Sequence, residues 1–216
     1  MAALATQAYV RPARADDAPV NEKDGEQALE ELMAGNARYV AGGNTVLERL
    51  ADKPPLSAGQ APFATILSCS DSRVVPEIMF DQVPGALFIV RVAGNILTTD
   101  GLASIEFATK VLGSRLVMVV GHEACGAVAA AIEVVKNGLE LPGHLPGLVA
   151  SIKPAVDEAM GMEGSLLENA IDANVTLGMR QLAEAKPILA ESVASGQVKL
   201  AGGVFNFETR EVELLA

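Results

Sequence analysis

Two strand-like apolar runs, each breaking off into a cluster of metal-competent side chains, constrain this chain more than any other feature. The first, Phe63-Ala64-Thr65-Ile66-Leu67-Ser68, runs into Cys69-Ser70-Asp71-Ser72-Arg73, so a thiol, a carboxylate and a guanidinium follow at two-residue intervals. The second, Leu116-Val117-Met118-Val119-Val120, runs into Gly121-His122-Glu123-Ala124-Cys125-Gly126-Ala127, with His122 53 residues beyond Cys69. Continuously apolar strands are buried on both faces, as parallel strands are when helices cover the sheet. Ligands of such sheets sit at the carboxyl ends of strands, which is where both clusters fall.

The intervening segments fit that frame. Gly25 to Val40 has apolar residues near helical spacing and stops at Gly42-Gly43. Lys53-Pro54-Pro55 and Gly59-Gln60-Ala61-Pro62 are breakers, so 51–62 reads as a loop. Pro76 opens a short helix. Ala86 to Val92 is a second strand and Ala93-Gly94-Asn95 a tight turn. Asp100 to Leu112 and Gly126 to Val135 are helices, 141–147 a Pro/Gly loop, and 148–195 helical with breaks near 161–164 and at Pro187. Val198 to Phe207 and Glu211 to Leu215 close the chain as a strand or hairpin. Strands alternating with helices predict an α/β fold: a mostly parallel β-sheet flanked by helices on both faces.

The 216 residues suffice for one sizeable core, taken as residues 25–216. Residues 1–24 read as an arm. Ala13-Arg14-Ala15 resembles a signal-peptide cleavage site but lacks a basic segment ahead of it, so a cytoplasmic location is expected, with export to the periplasm the alternative. The formal charge of −11 argues against nucleic acid and against an anionic membrane surface. No run of 18 or more apolar residues spans a membrane.

Zinc favours thiolate and imidazole in a tetrahedral shell, and Cys69, His122 and Cys125 supply three such ligands, leaving a fourth position open for water. Other readings weigh less. A Cys69–Cys125 disulfide leaves the neighbouring residues unexplained. The HExxH helix of metalloproteases is absent, because position 126 is Gly. Cys125 as a nucleophile with His122 as its base gives Cys69 no role. His144, in a Pro/Gly loop, reads as a surface or packing residue. Asp71 and Arg73 form an ion pair. Its carboxylate can accept a hydrogen bond from zinc-bound water, or, released by Arg73, swing onto the metal as a fourth ligand.

With these motifs the sequence closely resembles the β-class carbonic anhydrases. The resemblance runs through Cys69 to Arg73, Gln82 to Arg91, Ala93-Gly94-Asn95, Ser104 to Ala108, Gly121 to Val128 and His144-Leu145, over about residues 25 to 215. It implies a helical N-terminal arm, an antiparallel C-terminal edge strand, and a homodimer or dimer of dimers. It implies reversible hydration of CO2 to bicarbonate and a proton by zinc-bound hydroxide, with one Zn2+ per chain on Cys69, His122 and Cys125, and with Asp71–Arg73 as the orienting dyad. Gln60 matches a substrate-binding glutamine that reaches across the dimer interface. Phe88 and Phe107 match aromatic walls of the CO2 pocket, the latter often Tyr in the family. Ala93 matches a small apolar wall, and Gly126 a backbone contact to substrate. A bicarbonate-inhibited subgroup has Trp where Ile66 stands and Tyr where Phe205 stands. Only Arg91 matches it, and that residue reads as a buried ion-pair partner. An open site, with water rather than Asp71 on the metal, is therefore expected near neutral pH. Two rivals on the same scaffold are a carbon disulfide hydrolase and a zinc-stabilised binding module, the second disfavoured by the intact dyad.

Overall fold

The computed structural model describes residues 20–43, 45–51 and 56–215. Most of the leading arm, with the candidate cleavage site, lies outside them, as do the breakers Lys53 to Pro55. Five strands form one sheet in the order β2-β1-β3-β4-β5: β1 Ala64–Ser68, β2 Leu87–Arg91, β3 Leu116–His122, β4 Lys199–Phe205 and β5 Val212–Leu214. The first four are parallel, and β5 runs antiparallel to β4. Every residue of β1 and β3 is buried, which accounts for their unbroken apolar character.

Among the described residues, eight helices surround the sheet: α1 Gly25–Val40, α2 Val46–Ala51, α3 Pro76–Met79, α4 Thr99–Lys110, α5 Gly126–Asn137, α6 Leu145–Ala159, α7 Leu166–Glu184 and α8 Ile188–Ala194. A capping box starts α1: the Gln27 amide donates to Asp24 Oδ1 at 2.9 Å, and the Asp24 amide donates to Gln27 Oε1 at 3.1 Å. Ala28 and Leu32 of α1 bury themselves on the chain's own sheet against Ile66 and Met118, with Met79 and Phe80 from the α3 region. The opposite face packs Leu67, Val117 and Val119 under Ile105 of α4, Val175 and Leu182 of α7, and Leu189 of α8. A third cluster, from α5, α6 and the start of α7, closes over the carboxyl end of the sheet and takes in Cys69, Ile96 and Cys125.

Two boundaries differ from the sequence expectation. The loop expected over 141–147 ends early, because α6 begins at Leu145 with Pro146 in its first turn, where a fixed φ suits a helix and the missing amide costs nothing. The six-residue α2 has no sequence periodicity of its own. It is tied down by Arg49, whose guanidinium donates to the Asp81 carbonyl at 2.6 Å.

Candidate active site

The chain runs from β1 outward to β2 on one side, then returns to place β3 on the other side of β1. The carboxyl ends of β1 and β3 therefore flank the topological switch point, where crossovers diverge and leave a crevice. Cys69 follows β1 and His122 ends β3, so both enter this crevice. Ala124, with φ +53, turns the chain in a left-handed conformation so that Cys125 returns as the N-cap of α5. First-turn amides favour a thiolate at that position.

Cys69, His122 and Cys125 are all buried, and their ligand atoms lie within 4.8 Å of one another. Both cysteines are free thiols, so no disulfide competes. His122 Nδ1 donates to the Glu123 carbonyl at 2.9 Å, which fixes the tautomer and leaves the Nε2 lone pair facing inward. That Nε2 is buried and has no hydrogen-bond partner. The Cys69 sulfur accepts from the Gly94 amide at 3.2 Å and the Asp71 amide at 3.4 Å. A hydrogen bond from Cys125 pushes the Cys69 thiol well below its ordinary pKa, against the effect of burial. Cys125 is pushed up by Cys69 beside it and by burial. Burial opposes a charge on His122, but Cys69, the Glu123 carbonyl and Asp71 outweigh it and raise its pKa. Two buried sulfurs facing a partnerless imidazole nitrogen fit a soft divalent cation by the chemistry of the donor set.

Asp71 is outside that trio. Its Oδ2 lies 4.0 Å from His122 Nε2. Arg73 donates to Asp71 three times: from its amide to Oδ1 at 3.0 Å, from Nε to Oδ1 at 3.0 Å, and from its terminal NH2 to Oδ2 at 2.8 Å. These bonds hold the carboxyl well below the usual carboxylate range, against the opposing effect of burial. Arg91 departs from the reading as a buried ion-pair partner. It is exposed and donates to two backbone carbonyls, Cys69 at 3.1 Å and Asp71 at 2.7 Å, bracing the loop from β2.

Of the expected substrate residues, Ala93 sits beside Gly94 at the Cys69 sulfur, and Gly126 is exposed at the first turn of α5. The other three are elsewhere in this chain. Phe88 and Phe107 pair at 6.4 Å between ring centroids, but Phe88 stands opposite Thr65, about 13 Å along β1 from Cys69. Phe107 is 41 % exposed, on α4 beside the edge strand. Gln60 is exposed in a groove of about 410 Å³ with Phe63 and Val83 to Ala86, ahead of the amino end of β1, whereas Cys69 follows its carboxyl end.

Several residues that hold the site were not singled out in the sequence. Asn174 of α7, 4 % exposed, donates to the Gly94 carbonyl at 2.8 Å and so fixes the turn whose amide meets Cys69. An Asn in an otherwise apolar helical stripe was the available clue. Phe207, beyond β4, lies under the Arg73 guanidinium at 4.0 Å and 5.2 Å from the His122 ring.

Residues 64–212 match the family model described as carbonic anhydrase. The carbonic anhydrase 2 of Mycobacterium tuberculosis is 34% identical over 184 residues, covering 84% of this chain and 88% of that one. The carbonic anhydrase of Mycolicibacterium smegmatis is 33% identical over 193 residues, covering 87% and 91%. Among solved structures, a tetrameric β-carbonic anhydrase of Sordaria macrospora shares the fold, with a TM-score of 0.66 at 23% identity over 88% of this chain and 96% of that one.

Proposed function

This chain belongs to the β-class carbonic anhydrase family, and we propose that it hydrates carbon dioxide reversibly to bicarbonate and a proton beside a zinc ion held by Cys69, His122 and Cys125. The observation that carries this reading is the bidentate Asp71–Arg73 pair, set 4.0 Å from the buried, partnerless Nε2 of His122. The bound metal supplies Lewis acidity, which brings the pKa of a water down to about 7.

This chain's residues do the rest. Asp71 Oδ2 accepts a hydrogen bond from the attacking water and aims it. Arg73 occupies both carboxylate oxygens, so Asp71 stays in that orientation and off the metal, and the site is open near neutral pH. Ile66 and Phe205 support the same reading, since both are apolar members of the buried cluster under α1 and offer no bicarbonate-binding group. Ala93 contributes an apolar wall and Gly126 a backbone contact to substrate. Uncharged CO2 suits such walls, whereas bicarbonate does not.

Phe88 stands about 13 Å along the sheet from Cys69, Phe107 pairs with it, and Gln60 lies ahead of the amino end of β1. In this reading they complete the site of a second copy, so the working unit is a homodimer or a larger assembly. The tetrameric relative of similar fold is consistent with that. Stopped-flow CO2 hydration from about pH 6 to about pH 9, with zinc measured on the same sample, tests the proposal. Activity that scales with zinc and rises through a single ionisation near neutrality is the expected result. A protein with one zinc per chain that hydrates no CO2 at any pH overturns it.

A further inference from the structure

We propose that Phe207 is a positioning residue, an aromatic platform that holds the Arg73 guanidinium against Asp71 and ties that pair to His122; this rests on the function proposed above. Arg73 is exposed, and a long exposed side chain explores many rotamers unless something on the protein restrains it. Its own ion pair restrains one edge of the guanidinium. The face is covered by Phe207, with the guanidinium carbon 4.0 Å from the ring centroid, inside the range where a cation is drawn to the electron-rich face.

The ring is itself fixed from three directions. It meets Phe205 edge-on at 5.6 Å. It lies 5.2 Å from the His122 ring. The Phe207 amide donates to Glu123 Oε1 at 2.8 Å, and the Glu123 amide donates to the Phe205 carbonyl at 3.0 Å. Glu123 is also the residue whose carbonyl accepts the hydrogen bond from His122 Nδ1. Behind the ring, Asn206 Oδ1 accepts the amides of Glu208 and Thr209 at 2.8 Å each, which makes the turn after β4 rigid. One short segment therefore touches the imidazole on one side and the guanidinium on the other. It couples the metal-binding half of the site to the half that aims water.

The experiment is a mutant cycle of Phe207→Leu and Phe207→Met, which keep apolar bulk, and Phe207→Tyr, which keeps the aromatic face, each made with Arg73 intact and with Arg73→Ala. CO2 hydration, zinc content and the NMR resonance of the Arg73 Nε proton are read together. With Arg73 present, the Leu and Met variants lose about threefold in kcat at unchanged zinc content, and Tyr restores it. The Arg73 resonance carries the upfield ring-current shift in the parent and in Phe207→Tyr and loses it in the other two. In the Arg73→Ala background the Leu and Met changes have no further effect. The idea is overturned by an Arg73 resonance indifferent to Phe207→Leu, or by equal losses in both backgrounds. A parent that hydrates no CO2 but shows these resonance changes overturns the proposed reaction and leaves the positioning role standing.

Discussion

Replacing Asp71 by Asn separates the role of its charge from that of its shape. Arg73 makes two hydrogen bonds to Oδ1, from its amide and from Nε, and one to Oδ2, from its terminal NH2 at 2.8 Å. An Asn has one acceptor oxygen, and that oxygen takes the place with two donors. The NH2 group then stands where Oδ2 stood, a donor facing the Arg73 NH2, and it is the atom nearest His122 Nε2. That position can no longer accept a hydrogen bond from water, so the aiming function is lost rather than weakened. A positioned acid–base group contributes about 10²–10⁴-fold, and a loss of at least about 10²-fold in kcat is expected. Zinc content stays near one per chain, because Asp71 is not among the three buried ligand candidates. The depressed pKa adds a second expectation. Asp71 is ionised above its folded-state pKa, which lies below the usual carboxylate range, so its protonation does not shape activity at neutral pH. Stopped-flow hydration with zinc analysis checks the variant. Loss of zinc, or turnover within about threefold of the parent, refutes the argument.

Two predictions concern the scaffold. A methyl group on Gly35 of α1 would lie 1.8 Å from the Phe80 carbonyl oxygen and 2.8 Å from its carbon, so Gly35→Ala forces α1 off the sheet and costs about 3 kcal/mol, read as a fall in Tm by calorimetry; an unchanged Tm contradicts the packing. Burial alone would raise the Asp81 carboxyl, but Arg38 Nε at 2.7 Å and both Thr45 donors at 2.8 Å hold it below its ordinary value. Its stabilisation is therefore present above a pH of about 4 and lost as pH falls through the lower folded-state value. Asp81→Asn should cost about 1–3 kcal/mol in urea denaturation at neutral pH and less in strong acid; an equal cost at both contradicts the assignment.

What could be read in advance tracks how local each determinant is. The apolar runs of β1 and β3 and the residue types at their ends announce a buried sheet and a thiolate–imidazole site, because burial and ligand chemistry are carried by the residues themselves. The six residues of α2 are too few for a periodicity, and their helix is held by Arg49 reaching Asp81. Arg91 looked like an ion-pair partner because a charge in an apolar strand invites one. On the edge strand β2 its head reaches past the strand end to two carbonyls. Phe207 was silent because its place beside Arg73 depends on β4 pairing with β3, a contact between residues some 80 positions apart.

Gln60, Phe88 and Phe107 were drawn into the site by resemblance, yet the single chain places Gln60 ahead of β1, Phe88 on β2 and Phe107 on α4, and Cys69 beyond the carboxyl end of β1. A second copy would reconcile the two, and that proposal can be tested without a structure of the assembly. In a two-fold dimer whose sites borrow Gln60 from the neighbour, a Gln60→Ala chain keeps its own Asp71 and lends nothing, while an Asp71→Asn chain lends an intact Gln60. Each variant alone has only defective sites. Unfolding and refolding the two together gives mixed dimers in which one site has both Asp71 and Gln60. Random pairing makes half the dimers mixed with one good site of two, so activity should recover to about a quarter of the parent's. If Gln60 serves its own chain, every site in every dimer lacks one of the two residues, and mixing returns only the average of the two weak variants. Recovery on mixing therefore places the substrate glutamine across the interface; its failure, with mixed dimers demonstrated by mass spectrometry, assigns Gln60 to its own chain's site, and a Gln60→Ala chain as active as the parent makes it a surface residue of its groove.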